Sequence, residues 1–375
     1  VKNIVGTDTI SAAAALTVND FTMEASNTVI FSAAAALNVT GAFTMEANNT
    51  GNFITGSNTV EVSGATNIAD TLMISTGGVF DANGDFDATG AFVTFMAAPD
   101  TLKLGGGTEP KLGTLNDGLG GNITRGTVVY DNQAAGQRIY NADSAGTGYF
   151  DLIIDNDLQT ATYKADPNDP LLVLGDLTIT TGNLTLLNDH YLTLTGDFKM
   201  DAGSFVPGSN VSHTVAGNWT ENGGVFQPTT GRFTFDGNNT IITTQANAAG
   251  SGNYFNDLYI NPLPGNTVSA GSFLDINGNL YVVSETMDML TYGANVRFTT
   301  DISGTLLSGT GEFTSPTTSS ITNVNLGGFL KINTGTYNAY ILNSAGTIEF
   351  LNVGGILNIS GDNTSITGTF IRGTG

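Results

Sequence analysis

The chain has 375 residues, with 49 glycines and no cysteine, and its 33 acidic and 11 basic residues give a net charge of −22. So few basic residues cannot neutralise a run of phosphates, which excludes a nucleic-acid-binding protein, and the lack of cysteine excludes a disulfide scaffold and a thiolate metal site. The glycines do not recur at every third position, which excludes collagen, and 40% hydrophobic residues with 21 phenylalanines argue against intrinsic disorder.

The N-terminal residues predict a protein that acts outside the cell. The chain begins at Val1 without a methionine and has no basic segment followed by an apolar run, so we expect no signal peptide within it. No stretch approaches about 18 continuous apolar residues, so we expect no membrane span. Together these features favour a mature extracellular or cell-surface protein, and a cytosolic protein is the alternative.

Two short sequences return along the first 50 residues. SAAAAL occupies residues 11–16 and 32–37, and FTMEA occupies 21–25 and 43–47. The two steps, 21 and 22 residues, predict a structural repeat of that length. The alanine runs could form a helical turn, but their return one repeat later favours stacked small residues at one corner of adjacent coils.

A looser frame recurs through the rest of the chain, in which alternating apolar residues flank a glycine. We interpret each copy as a strand, a glycine corner and a second strand. The Asp or Asn that often follows the glycine suits a bend with positive φ. The predicted corner glycines are Gly41, Gly64, Gly84, Gly175, Gly196, Gly217, Gly278 and Gly355.

The period of about 21 residues decides the predicted fold. Three short strands with their corners occupy about one period, which predicts an all-β, three-sided parallel β-solenoid with loop insertions. A β-sandwich would have turns every 8–12 residues without a matching register at 21. Right-handed crossovers are favoured in parallel β-structure, so we expect a right-handed coil.

The repeats also divide the chain into three predicted segments. Residues 1–96 are predicted to form N-terminal coils, 97–125 a glycine-rich interruption, and 126–375 the main solenoid. Within the main solenoid, a block of about 105 residues is repeated, since GTVVYD at 126–131 resembles GRFTFD at 231–236. The polar stretches within it predict loops that leave the coil, at 131–147, 157–170 and 243–253.

No catalytic motif is present: the sequence lacks GxSxG, a P-loop and HExxH. Its two histidines, His190 and His213, are too few for a histidine metal centre, and we predict no cofactor and no enzyme activity. Asp81, Asn83 and Asp85 have a weak calcium-like spacing. The competing and favoured interpretation starts from Gly84 as a corner, which makes Asp85 and Asp87 a corner residue and an outward strand residue.

The frames LTLTGDF at 192–198 and LDINGNL at 274–280, with the related phrases at 150–155 and 255–261, resemble the repetitive stalk regions of bacterial surface and adhesin-type β-solenoid proteins. The resemblance covers most of the chain outside 97–125. It implies a parallel β-helix fold and an extracellular, cell-surface location.

The first and last repeats look like interior coils, with no amphipathic cap. We therefore expect copies of the chain to stack head to tail into a filament, with themselves as partners. The predicted assembly ends are Ile4, Ile10, Leu16, Ile359, Ile366 and Phe370. A stalk segment of a large adhesin is the first alternative, and a carbohydrate-active β-helix enzyme is the second.

Overall fold

The computed structural model describes sixteen stretches of the chain: 7–10, 14–24, 28–31, 36–47, 52–106, 109–119, 123–131, 137–139, 148–163, 170–245, 253–308, 313–314, 323–339, 341–352, 354–360 and 364–372. These stretches contain strands and turns but no helix. The chain divides into two compact units, the first being 1–190 with 202–204 and the second 191–201 with 205–375.

Each unit is a parallel β-solenoid with coils of about 21 residues, so the predicted fold class is confirmed. Nowhere in the described stretches is there a helix long and apolar enough to cross a membrane.

The first unit has three parallel sheets, because strands one coil apart pair side by side. Sheet I contains β1 (Thr7–Ile10), β4 (Thr28–Phe31), β7 (Asn52–Ile54), β10 (Thr71–Ile74), β13 (Phe92–Phe95) and β15 (Thr114–Asn116). Sheet II contains β2 (Leu16–Val18), β5 (Leu37–Val39), β8 (Thr59–Val62), β11 (Val79–Ala82), β14 (Thr101–Leu104), β16 (Thr127–Tyr130), β18 (Asp151–Tyr163) and β20 (Leu177–Leu186). Sheet III contains β3 (Phe21–Met23), β6 (Phe43–Met45), β9 (Thr66–Ile68) and β12 (Phe86–Asp87). The unit also contains β17 (Gln137–Ile139) and β19 (Leu171–Val173).

The second unit repeats this plan. Sheet IV contains β21 (Leu192–Leu194), β24 (Ser212–Val215), β27 (Arg232–Phe235), β29 (Asp257–Ile260), β32 (Leu280–Val282), β35 (Thr300–Ile302), β38 (Asn323–Leu326), β41 (Ile341–Ser344) and β44 (Ser365–Ile366). Sheet V contains β22 (Phe198–Met200), β25 (Trp219–Glu221), β28 (Ile241–Thr243), β30 (Thr267–Ala270), β33 (Thr286–Asp288), β36 (Thr305–Ser308), β39 (Phe329–Ile332), β42 (Thr347–Phe350) and β45 (Thr369–Arg372). Sheet VI contains β31 (Leu274–Ile276), β34 (Ala294–Val296), β37 (Phe313–Thr314), β40 (Thr336–Ala339) and β43 (Ile356–Ile359). Two short strands complete the set, β23 (Ser204–Val206) and β26 (Val225–Phe226).

The core lies inside the coils, where every second residue of a strand points. β10 and β14 both alternate between half-buried and fully buried residues, as period-2 patterning requires. Parallel pairing places similar side chains above one another, so Phe21 stacks on Phe43 with ring centroids 5.0 Å apart. In the second unit Trp219 stacks on Phe198 at 3.9 Å. These columns of apolar side chains supply the main stabilisation, at about 25 cal/mol per Å² buried.

Two predicted loops are partly wrong. Residues 137–139, predicted to lie in a loop, form β17, which pairs in parallel with β18. Residues 157–163, predicted to leave the coil, belong to strand β18, whose Thr160 to Tyr163 pair in register with Asn183 to Leu186 of β20. Backbone hydrogen bonds hold this segment despite its polar sequence, which is why its composition misled the prediction. Within the three predicted loops, residues 132–136, 140–147, 164–169 and 246–252 lie outside the described residues.

The glycine-rich stretch 97–125 contains two strands that belong to the ladders. β14 pairs with β11 and β16 in sheet II, and β15 pairs with β13 in sheet I. The proposed three-segment division of the chain, and its handedness, stay predictions. Residues 12–13 and 33–35 of the two alanine runs lie outside the described residues, and Ala14 and Ala15 are exposed and not helical.

Candidate functional site

Three of the predicted corner glycines stack at one corner of the first unit. Gly41 lies between β5 and β6, Gly64 between β8 and β9, and Gly84 between β11 and β12. A Cβ atom on Gly64 would collide with the carbonyl oxygen of Gly41, and one on Gly84 would collide with that of Gly64. This corner therefore has no space for a side chain.

The reason given for these glycines from the sequence is wrong. None of the eight predicted corner glycines has a positive φ; the glycines that do are others, such as Gly56 and Gly182. Glycine is needed here because adjacent coils approach closely, not because the backbone is left-handed.

The remaining predicted glycines do not share one corner. In the second unit, Gly196 and Gly217 lead into strands of sheet V, whereas Gly278 leads into β32 of sheet IV. Gly355 directly precedes β43 of sheet VI, and in the first unit Gly175 leads from β19 into β20. The same sequence frame therefore occurs at several different corners of the coils. The repeat period alone did not predict this.

The Asp and Asn residues near these corners form hydrogen bonds between coils. In each case a side-chain oxygen accepts the backbone N–H of a residue one coil later, where the turn leaves that N–H without a ladder partner. The bonds run from Ala42 to Asp20 (2.9 Å), Asp176 to Asp151 (2.8 Å), Asn218 to Asp197 (2.7 Å), Ile241 to Asn218 (2.9 Å), Asn279 to Asp257 (2.8 Å) and Thr299 to Asn279 (3.0 Å).

The weak metal candidates lie on or next to sheet II of the first unit. Asp81 is half-buried on β11, in register with Glu61 and Lys103, while Asn83 and Asp85 are exposed after that strand. Burial raises the pKa of Asp81, while Lys103 lowers it. Among the described residues, no three His, Cys, Asp or Glu side chains are placed to hold a metal ion.

The predicted assembly ends lie on the first and last described coils. Ile4 is outside the described residues, while Ile10 and Leu16 are half-buried in the first unit. In the second unit Ile359 is half-buried, but Ile366 is 37% and Phe370 52% exposed. The C-terminal coil therefore leaves large apolar side chains open to solvent.

Sequence reasoning missed a buried carboxyl group in the second unit. Glu221 is 3% exposed, accepts a hydrogen bond from the indole Nε1 of Trp219 at 2.7 Å, and accepts another from the backbone N–H of Gln245 at 3.3 Å. Burial raises its pKa to about 7. The position of Glu221 in the sequence could have revealed its burial. It lies two residues after Trp219 and therefore on the same, inward side of the strand.

His213 is fully buried in the same unit and stacks on Phe233 at 4.5 Å. Its Nδ1 accepts the backbone N–H of Leu192 at 3.1 Å, which leaves Nε2–H to donate to the carbonyl oxygen of Gly208 at 3.2 Å. Burial lowers its pKa to about 4. The ring is therefore neutral at physiological pH and serves as a packed, hydrogen-bonded core residue.

We expect Gly217→Ala to lower the free energy of unfolding of the second unit by about 2 kcal/mol, because the new methyl group would overlap the backbone of Gly196. Gly327→Ala is the matched control, since its Cβ would meet only the carbonyl oxygen of Ile302 at 3.8 Å. That control should be neutral or slightly stabilising. Urea unfolding followed by circular dichroism compares the two, and equal losses would contradict a steric role for the corner.

We expect Glu221→Gln to change how stability depends on pH. The pKa of Glu221 is 4.5 when unfolded and about 7 when folded, so the wild-type chain loses stability as pH rises from 4.5 to 7. The variant lacks this loss, so its advantage should grow over that window to about 3 kcal/mol at most and then stay constant.

Trp219 is the only tryptophan in the chain, so its fluorescence reports urea unfolding locally at each pH. A native-state fluorescence change centred near pH 7 should also be present in the wild type and absent from the variant. Parallel stability profiles for the two proteins would show that Glu221 does not titrate in this way.

Comparison with known proteins leaves the chain without an assigned family. No family model, no curated protein and no solved structure matches it. What the chain is similar to is therefore a class of architecture, the repetitive parallel β-solenoid.

Proposed function

We propose that the protein is a structural subunit of an extracellular filament or surface fibre, and that its copies stack head to tail. The observation that carries this proposal is the C-terminal coil. Ile348 of β42 is fully buried, but its register partner Phe370 of β45 is 52% exposed. Ser344 is likewise 3% exposed, and its partner Ile366 is 37% exposed.

The open edges of the end strands support the same proposal. Within the described residues, β43, β44 and β45 each pair with a strand on one side only. The same is true of β1, β2 and β3 in the first unit. Unpaired N–H and C=O groups favour the addition of another parallel strand.

A coil of the same kind is the natural cover for these ends. The first described coil presents half-buried Leu16 and Val18, and an exposed Asp20, while the last presents exposed Phe370 and Arg372. In a stack, the two ends that meet would both carry apolar residues. They would also carry opposite charges, at Asp20 and Arg372. Such a head-to-tail contact joins two different surfaces, and when it repeats without closing into a ring it produces a fibre.

Phe370→Asp tests this proposal. The buried, unpaired carboxylate would cost several kcal/mol, so the end-to-end contact should weaken more than about 100-fold. The matched control is Phe329→Asp, because Phe329 is 47% exposed on the same sheet but lies away from the end.

Sedimentation velocity and electron microscopy across a concentration series give the readout. The wild type and Phe329→Asp should form filaments that lengthen with concentration, while Phe370→Asp should remain as single chains. Single chains of wild type at every concentration would overturn the filament and favour the alternative, a stalk segment whose last coil is covered by further residues of a longer chain. Filaments of Phe370→Asp equal to wild type would exclude this contact.

A further inference from the structure

Sheet IV of the second unit carries a continuous row of outward side chains at one register position. Tyr259 pairs with Tyr281, Tyr281 with Asp301, and Asp301 with Asn325. Asn343 and Ser365 continue the row. Neighbouring members lie about 4.8 Å apart, as adjacent strands do. The row changes abruptly from large aromatic residues to small polar ones between β32 and β35.

Among the described residues, no other ring covers the second face of Tyr281 in the aromatic part of the row. Tyr259 and Tyr281 stack with centroids 4.2 Å apart, and the Arg232 guanidinium lies 4.9 Å from the Tyr259 centroid. Tyr259 is thus held between Arg232 and Tyr281. The other face of Tyr281 is turned toward the next coil, which carries the small side chain of Asp301 in register.

The polar part of the row lines an open groove of about 420 Å³. Its main side chains are Asp301, Asn325, Asn343 and Ser365, with Ser303 and Thr367 beside them. Asn343 donates an amide hydrogen bond to Asn325 at 3.4 Å, which orders the two amides. The lining therefore offers both donors and acceptors and contains no basic side chain.

We propose that this groove binds a neutral polysaccharide. Sugar hydroxyl groups both donate and accept hydrogen bonds, as the groove's amides and hydroxyls do. The C–H face of a sugar ring suits the negative face of an aromatic ring such as that of Tyr281. The strand spacing is close to the length of one sugar unit, so successive units would meet successive members of the row.

Charge selects against other ligand classes. The chain has a net charge of −22 and the groove has no Lys or Arg, so an anionic polysaccharide would be repelled. Asp301 is the one carboxylate in the lining, which is too few for a stable divalent-cation site. The proposal concerns binding without catalysis and does not depend on filament formation.

Asn325→Ala and Tyr281→Leu test the groove. Each removes one class of contact and should weaken binding about tenfold, the effect of one lost hydrogen bond or stacking contact. The matched control is Asn338→Ala, because Asn338 accepts the same kind of amide hydrogen bond, from Asn358 at 2.8 Å, on sheet VI. The control should bind within about twofold of wild type, which separates the groove from general effects of breaking an amide pair.

Affinity electrophoresis and calorimetry with dextran, galactomannan, xyloglucan and β-glucan, beside anionic alginate, measure the binding. Retention by at least one neutral polymer, lost in both groove variants and kept in the control, is the expected result. Absence of binding to every neutral polymer, equal binding to alginate, or equal loss in the control would overturn the proposal. The same assay on Phe370→Asp should give wild-type binding, so that failure of assembly and failure of the groove remain distinguishable.

Discussion

Every coil of this protein must stack on the next at the spacing of hydrogen-bonded parallel strands. That spacing, about 4.8 Å, is fixed by the backbone and leaves little freedom at the corners. Where the corner backbones approach closely, as at Gly64 and Gly84, a Cβ atom would overlap the backbone of the preceding coil. At other corners the turn leaves a backbone N–H without a ladder partner. The side chain of an Asp or Asn, such as Asp257, then accepts the hydrogen bond of that N–H.

The same spacing gives the core its character. Each inward side chain meets its counterpart one coil away, so like residues form columns, as Phe21 and Phe43 do. A column can also contain a charged residue type, as at Glu221, whose carboxyl group accepts hydrogen bonds from Trp219 and Gln245. On the last described strand of sheet V, Phe370 is 52% exposed, whereas its register partner Ile348 is fully buried.

The sequence was sufficient to predict the fold because the length of its repeat equals the number of residues in one coil. SAAAAL returns at the 21-residue step by which β1 and β4 pair, with Thr7 beside Thr28. FTMEA returns at the 22-residue step by which β3 and β6 pair, with Phe21 beside Phe43. It was not sufficient to predict how the corners work. The sequence shows that Gly64 has no side chain. Only the positions of the neighbouring coils show whether glycine is needed there for its backbone conformation or because there is no space for a Cβ atom. Similarly, the row from Tyr281 to Asn343 joins residues about 20 positions apart, which become neighbours only through the register.

Two buried titratable groups of the second unit, His213 and Glu221, have opposite effects on acid tolerance. His213, with its pKa lowered from 6.5 to about 4, loses native-state stability as pH falls through that interval. Glu221, with its pKa raised from 4.5 to about 7, gains stability as pH falls from 7 to 4.5. Between about pH 4.5 and 6.5 the two contributions offset each other, so the stability of this part of the solenoid core depends little on mild acidification.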